Sequence, residues 1–440
     1  ANTIDGDIDR VVAQIQQLQQ TSKDSVRALV PGGNYDADAR RITNMADPVD
    51  AQDAMTYASA LASVTSCAAD AATATTKAGE AAGWAAAAVA AKNAAEAWAA
   101  STVPVKGTFY KLDTSSVAFT KTAAGAISIK AGTRIVVADT LISITADTAV
   151  VMPTLAAGTD YAIYACTDGT IRADASFTAP TGYTTANSRM IGGFHYGLVA
   201  AGTTVAGGSF ATTGSGMIWT QADVDKIAGI NQYSMWDLKW RPQCDPKGMA
   251  LVAGRVWVDI YFCGTNHTTD GTSKAGSDIA SGTVLPKIPL EFGGDGTATY
   301  SAPTWWDFAE IVNSHKKRLI REEEFVLAAY GVTENQSIDA TTSTYPTTQR
   351  NAGYTSKYGL EQASGHHWTW GEDSAGSASA YVANGGRGQS YNNSIVRVLL
   401  GGTRAFGAKS GSRCSYWSSV PTTVHWSHGV RAACDHLILL

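Results

Sequence analysis

The residues able to hold a metal, cycle electrons or attack an electrophile are few, and their spacing does not suit that chemistry. The six cysteines, Cys67, Cys166, Cys244, Cys263, Cys414 and Cys434, form no CxxC pair and no metal-ligand spacing with histidine. They do not outline a disulfide framework, although Cys414 and Cys434 could meet across the terminal segment. His366-His367, beside Trp368 and Trp370, is the next candidate for a metal or cofactor pocket. Adjacent side chains on a strand point to opposite faces, which favours two separate packed or surface roles. In the last stretch, Gly401 to Leu440, Asp435 is the only acidic residue, too few oxygen ligands for Ca²⁺. No catalytic residue, metal ligand or cofactor site is therefore assigned. From Tyr416 to His428 the chain instead places Tyr416, Trp417, His425, Trp426 and His428 among Ser, Thr and Pro, without a helical stripe or sustained alternation. Rings interleaved with small hydroxyl residues give large contact area at little entropic cost, a composition suited to recognition.

Such a run needs a frame to position it. Gly411-Ser412-Arg413 and Gly429-Val430-Arg431, continuing to Asp435-His436-Leu437-Ile438-Leu439, read as rigid brackets. The 440 residues exceed one compact core and predict two to three domains. A net charge of -5 gives no reason to expect nucleic acid or an anionic membrane as partner. Charged residues are only 16%, against roughly 25% in an average domain, and Gly, Ala, Ser and Thr abound. The opening ANTIDGDIDR is acidic and has no apolar core of a signal peptide, and no apolar run is long enough to span a bilayer.

Along the chain, Ile8, Val11, Ile15 and Leu18 follow a heptad seam, predicting a short coiled-coil helix that associates with copies of itself or a neighbour. It ends at Pro31-Gly32-Gly33-Asn34. From about Ala51 to Ala100 the Ala-rich run predicts one long helix, with Trp84 and Trp98 on one stripe. After Val103-Pro104 the period becomes two: Ile127/Ile129, Ile135/Val137, Ile142/Ile144 and Tyr161/Ile163/Ala165, followed by a hairpin turn at Thr167-Asp168-Gly169-Thr170. Strands at this spacing predict an antiparallel β-sandwich. Ten of the twelve tryptophans lie between Trp219 and Trp426, predicting an irregular domain that needs large side chains to fill its core. Asp307 to Gly331 reads as its principal helix with an extension. The expected division is 1–104 shaft or attachment region, 105–213 β-sandwich, and 214–440 α+β domain ending in the segment 401–440.

Several stretches resemble known families. DADARRITNMADPVDAQDAMTYASA is similar to a short element of phage tail fibres. KKRLIREEEFVLAAYG, YGLEQASGHHWTWGED and RVLLGG with GVRAACD resemble the landmarks of the formylglycine-generating type of C-type lectin fold. From about Gly107 to Leu440 a closer resemblance, carried in order by SVAFTKT, AISIKAGT, GMALVAGRVWVDIY, NHTTDGTSK, QASGHHWTWG, SGSR and CDHLIL, is to the tropism determinants of phage. These are trimeric tail-fibre receptor-binding proteins whose terminal segment is diversified by a retroelement that substitutes template adenines. The resemblance implies that Thr403, Ala405, Phe406, Gly407, Lys409, Tyr416, Ser418, Ser419, Thr423, His425, Ser427 and His428 are the exchangeable, receptor-facing positions. Substituting both adenines of an Asn codon that ends in a pyrimidine reaches every residue in that set except Lys409. Trp417 and Pro421 are expected to be buried supports within the variable run, and the flanking glycines, Ser410 to Arg413 and Gly429 to Leu440 its fixed frame.

The resemblance implies a homotrimer on the virion, at a tail fibre or baseplate tip, made in the host cytoplasm and released by lysis. Its partners would be a bacterial cell-surface receptor, protein or glycan, and other tail or baseplate proteins through the divergent N-terminal region. A formylglycine-generating oxidoreductase is the alternative the lectin landmarks allow, but that chemistry needs paired thiolates in one pocket, and Cys414 and Cys434 do not sit in the paired motif. A Ca²⁺-dependent glycan-binding lectin would need an EPN or QPD loop and a WND triplet, which this chain lacks. Glycan recognition by aromatic stacking remains an open alternative.

Overall fold

The computed structural model describes residues 9–19, 57–101, 107–204, 219–338, 347–376, 381–383, 389–391 and 395–438. Two compact units divide the chain at Val103/Pro104. In the first, residues 9–19 are helical, and Tyr57–Ser101 is one 45-residue helix, as an unbroken Ala-rich run without proline should be. Val11, Leu18 and Trp84 are exposed on these helices. The tail-fibre-like ADP element falls outside the described residues, as does the side chain of Trp98.

The second unit, Pro104–Leu440, begins with the alternating strands expected from the period-two pattern. Ala126–Ile129, Arg134–Val137, Thr140–Ser143 and Thr159–Cys166 are all strands. Ile127, Ile129, Ile135, Val137, Ile142, Ile144, Tyr161, Ile163 and Ala165 enter one buried cluster with Phe119 and Phe194. Thr159–Cys166 pairs antiparallel with Ile171–Asp174 through the Thr167–Thr170 turn, where Gly169 takes φ +86°. The expected boundary near 213 and 214 lies outside the described residues.

No break in the sheet separates the two halves of this unit. A nine-stranded sheet runs from Ile171–Asp174 through Thr159–Cys166, Ser188–Tyr196, Trp236–Asp237 and Trp240–Pro242 to the terminal strand Ala432–Ile438, and beyond it to Val256–Asp259 and Met249–Val252. Gly192 and Gly193 allow this continuity. A Cβ on either would collide with backbone or ring atoms of Trp236, Phe119 or Tyr161. The strand Ala432–Ile438 also pairs with Arg318–Leu319, and it lies inside the sheet with neighbours on both sides.

The stretch read as one helix and its extension is two helices, Trp305–Ser314 and Glu322–Ala328. Between them Lys316 turns left-handed at φ +58°, and Lys317 is drawn into a buried ion pair with Asp259 at 2.7 Å. The connecting residues Arg318–Leu319 then join the sheet, so a tertiary contact breaks what local pattern would continue.

Candidate functional site

A four-stranded sheet carries the terminal segment, in the order Ser415–Ser419, Ile395–Leu400, Trp368–Gly376, His428–Gly429. Ser415–Ser419 pairs antiparallel with Ile395–Leu400, placing Tyr416 opposite Leu399 and Ser419 opposite Arg397 across a bulge. The chain then leaves one edge of this sheet, loops through 420–427 and returns at the other, where Trp368 and His428 are parallel partners.

The loop is held by its own main chain. The Trp305 N–H, an otherwise unpartnered donor in the first turn of its helix, donates to the Pro421 carbonyl at 3.0 Å. Gly282 N–H donates to the His425 carbonyl at 3.0 Å, and Trp368 N–H to the Ser427 carbonyl at 2.8 Å. Residues 403–413 are fastened in the same way. Arg404 N–H donates to the His366 carbonyl at 3.2 Å, and the Glu334 carboxylate accepts from Ser412 N–H at 3.0 Å and its hydroxyl at 2.5 Å. Gly401 and Gly402 take φ +89° and +82°, and a Cβ on Gly402 would overlap Ser410. Behind the loop Arg431 is buried, donating to the carbonyls of Asp259, Ile260 and Glu361, with its guanidinium 4.6 Å from the Phe262 ring. Burial lowers its pKa to about 10 and raises that of neighbouring Glu361 to about 7.

On this frame the twelve positions divide by depth. Ala405, Lys409, Tyr416, Ser418 and His425 are exposed, and Phe406, Gly407 and Thr423 are half-buried. Thr403, Ser419, Ser427 and His428 are buried, which corrects the expectation that all twelve face outward. These four shape the surface from beneath: Thr403 bridges to His366, and the Ser427 hydroxyl hydrogen-bonds His425 Nδ1 at 2.8 Å, setting its ring. Trp417 is 38% exposed, so it is not the buried support expected of it. Its indole N–H donates to the Ser415 hydroxyl at 3.1 Å, whereas Pro421 is half-buried. The buried aromatic support is Trp368, packed edge-on against Phe406 at 4.9 Å and lying 5.9 Å from Tyr416.

The histidines also depart from expectation. His366 and His367 precede the strand Trp368–Gly376, so strand alternation does not separate them. Both are buried, with ring nitrogens 3.1 Å apart and centroids at 4.9 Å. Burial, followed by the neighbouring Arg404 charge, lowers His367 to about 3. Burial, followed by His425, lowers His428 to about 3. These rings are therefore neutral packing at neutral pH. Among the described residues no group of three or more His, Cys, Asp or Glu side chains is arranged to hold a metal. Cys414 packs against the cluster of Trp368 and Trp370, while Cys434 lies in another cluster with Cys244. The suggested Cys414–Cys434 meeting does not occur.

Sequence reasoning missed three exposed apolar residues beside the variable positions. Val420 and Val424 lie in the loop, and Trp306 follows the residue that anchors Pro421. Arg397 stacks at 3.7 Å on Trp305 and lies 5.5 Å from the Trp306 ring. The available signal was the Trp305-Trp306 pair, one ring for the core and one left outside.

Comparison with known proteins places this architecture. The family model described as Mtd second domain matches residues 117–237. A tail fiber receptor-binding protein of Bordetella phage BPP-1 is 48% identical over 347 residues, covering 76% of this chain and 86% of that protein. Among solved structures, the Major Tropism Determinant U1 variant matches with a TM-score of 0.66 at 46% identity, over 76% of this chain and 87% of that one. The I1 variant matches with a TM-score of 0.65 at 47% identity, over 76% and 86%.

Proposed function

The chain belongs to the major tropism determinant family of phage tail-fibre receptor-binding proteins, and on that premise we propose that the surface built by residues 403–428 is where it grips its host. The observation that carries the assignment is the main-chain anchoring of the loop to Trp305, Gly282 and Trp368. Backbone bonds are indifferent to side-chain identity, so rings, hydroxyls and imidazoles can be exchanged without releasing the loop. Mutations that cost several kcal/mol act mainly through cores and buried polar groups, and most of these positions are neither.

The receptor is a bacterial surface protein or glycan, met by Tyr416, Trp417, His425 and the exposed Val420 and Val424, with the buried Thr403, Ser419, Ser427 and His428 tuning loop shape. The molecule works as a virion component and as a homotrimer, with the helices of the N-terminal unit assembling the copies or docking them to other tail proteins. The exposed Val11 and Leu18, one heptad apart, support that assembly, because a heptad seam buries its apolar positions only against a partner helix. Three sites on one body raise avidity by on the order of a hundredfold when receptors are engaged together.

The test is a library in which only the twelve positions vary, selected on cells that lack the original receptor. The expected result is soluble protein of unchanged backbone and altered host range, since specificity is a difference of affinities set at the contact centre. Variants that mostly fail to fold would show that the segment is core and that recognition lies elsewhere.

A further inference from the structure

Cys244 and Cys434 are drawn together by the sheet. Trp240, Arg241 and Pro242 face Ile438, Leu437 and His436, and the register continues past the assigned strand, with Gln243 N–H donating to the Asp435 carbonyl at 3.2 Å. The next pair in that register is Cys244 opposite Cys434. Because Gln243 and Asp435 are hydrogen-bonded across the strands, the cysteines occupy the adjacent non-hydrogen-bonded position, where facing Cα atoms approach to about 4.5 Å and side chains are closest. That spacing lies within the range a disulfide spans, about 4.4 to 6.8 Å. Both side chains belong to one buried cluster with Trp236, Met249 and Trp257, and both are free thiols here. Cys244 also lines an open cavity of about 370 Å³, together with Arg241, Asp245, Lys247 and Lys316. Three of those four neighbours are basic, so the cavity suits a small anionic reagent.

We infer that Cys244 and Cys434 form a redox-active cross-strand dithiol that closes to a disulfide by exchange with a small anionic disulfide such as oxidised glutathione once the protein leaves a reducing compartment. The hydrogen bond from Cys244 holds the Cys434 thiol below its ordinary range and pushes Cys244 above its own, so the pair's first proton leaves Cys434 and the second is shared between the two sulfurs. The remaining proton passes across the hydrogen bond to Cys434, and Cys244, which faces the cavity, then attacks one sulfur of the small disulfide as thiolate and expels one small thiolate. The Cys434 sulfur then attacks Cys244 and expels the second. Two protein thiols and one small disulfide become one protein disulfide and two small thiols, with two electrons passed to the reagent and both protons carried by the released thiols. The bond would clamp the strand Trp240–Pro242 to the terminal strand that directly follows the recognition loop. It would hold that frame outside the cell independently of which receptor is bound.

The full-length protein with Cys67→Ser, which removes the exposed thiol, is prepared reduced and exposed to oxidised glutathione. The expected result is loss of two free thiols, an intact mass without a glutathione adduct, and a Cys244–Cys434 cross-link in the peptide map. The thermal midpoint should rise on the order of 5 °C, reversed by dithiothreitol. Cys434→Ser should instead trap a glutathione adduct on Cys244. An unchanged thiol count, a bond mapped to another pair, or a stable adduct on the protein that retains both cysteines would overturn the inference. These readouts stand whether or not the serine variant folds.

Discussion

Replacing Gly282 with alanine should detach recognition from folding. Gly282 lies under the recognition loop, and its N–H is the donor that holds the His425 carbonyl at 3.0 Å. Its φ is outside the left-handed region, so alanine meets no backbone strain of its own there. A Cβ at this position would lie 2.5 Å from the His425 nitrogen, 2.7 Å from its carbonyl oxygen and 2.8 Å from its carbonyl carbon. Comfortable contact begins near 3.5 Å, so the His425 main chain has to move by about 1 Å. The loop is at the surface and can yield, which puts the folding cost at the low end of the 1 to 3 kcal/mol of an overpacked site. That corresponds to a midpoint lowered by about 2 to 4 °C. Recognition suffers more, because His425 and its neighbours are displaced together. Losing one central contact of about 2 kcal/mol weakens a single site roughly 30-fold, and three coupled sites by more. Flow cytometry of labelled full-length protein on host cells, beside calorimetry, measures both. Gly79→Ala, with nothing within 4 Å of its Cβ, serves as the silent control. Host binding at the parental level in Gly282→Ala would refute the claim that main-chain anchors position the site.

Other outcomes follow from burial and charge. Trp417→Ala should leave the thermal midpoint nearly unchanged while reducing host binding, whereas Trp370→Ala, fully buried, should lower stability by about 3 to 5 kcal/mol; calorimetry with cell binding separates the two. Arg431→Met should cost about 3 to 5 kcal/mol, because three carbonyls lose their donor in a sealed site, and chemical denaturation measures it. His367 and His428 titrate at about 3 when folded against about 6.5 unfolded, so between those values the unfolded chain binds more protons and stability falls as pH falls. At pH 4.5 each should have withdrawn about 3 kcal/mol, and His428→Asn should flatten the pH dependence of the midpoint by its share.

The parts legible in the sequence were those whose cause is local. The period-two pattern of Ile127 to Ala165 marked strands because alternation follows from the pleat, and Ala residues without proline marked the long helix because propensity acts residue by residue. The family landmarks pointed to the lectin half, and to the terminal segment that we propose for recognition. What local pattern could not contain was contact between distant residues. The helix expected over 307–331 is broken because Lys317 finds Asp259, 58 residues earlier, and no periodicity in the helix announces that partner. Trp417 looked like support because a large ring in a polar run usually is, but a bulge against Ile395–Leu400 leaves it outside while Trp368 fills the interior. Adjacent histidines were separated by strand geometry only on paper, since the strand starts at Trp368, two residues too late to include both of them. The order of residues 401–440 thus determined which side chains are available for recognition. Which of them reach solvent, and what holds their backbone still, was decided by Gly282, Trp305 and Trp368, brought to the loop only when the sheets closed.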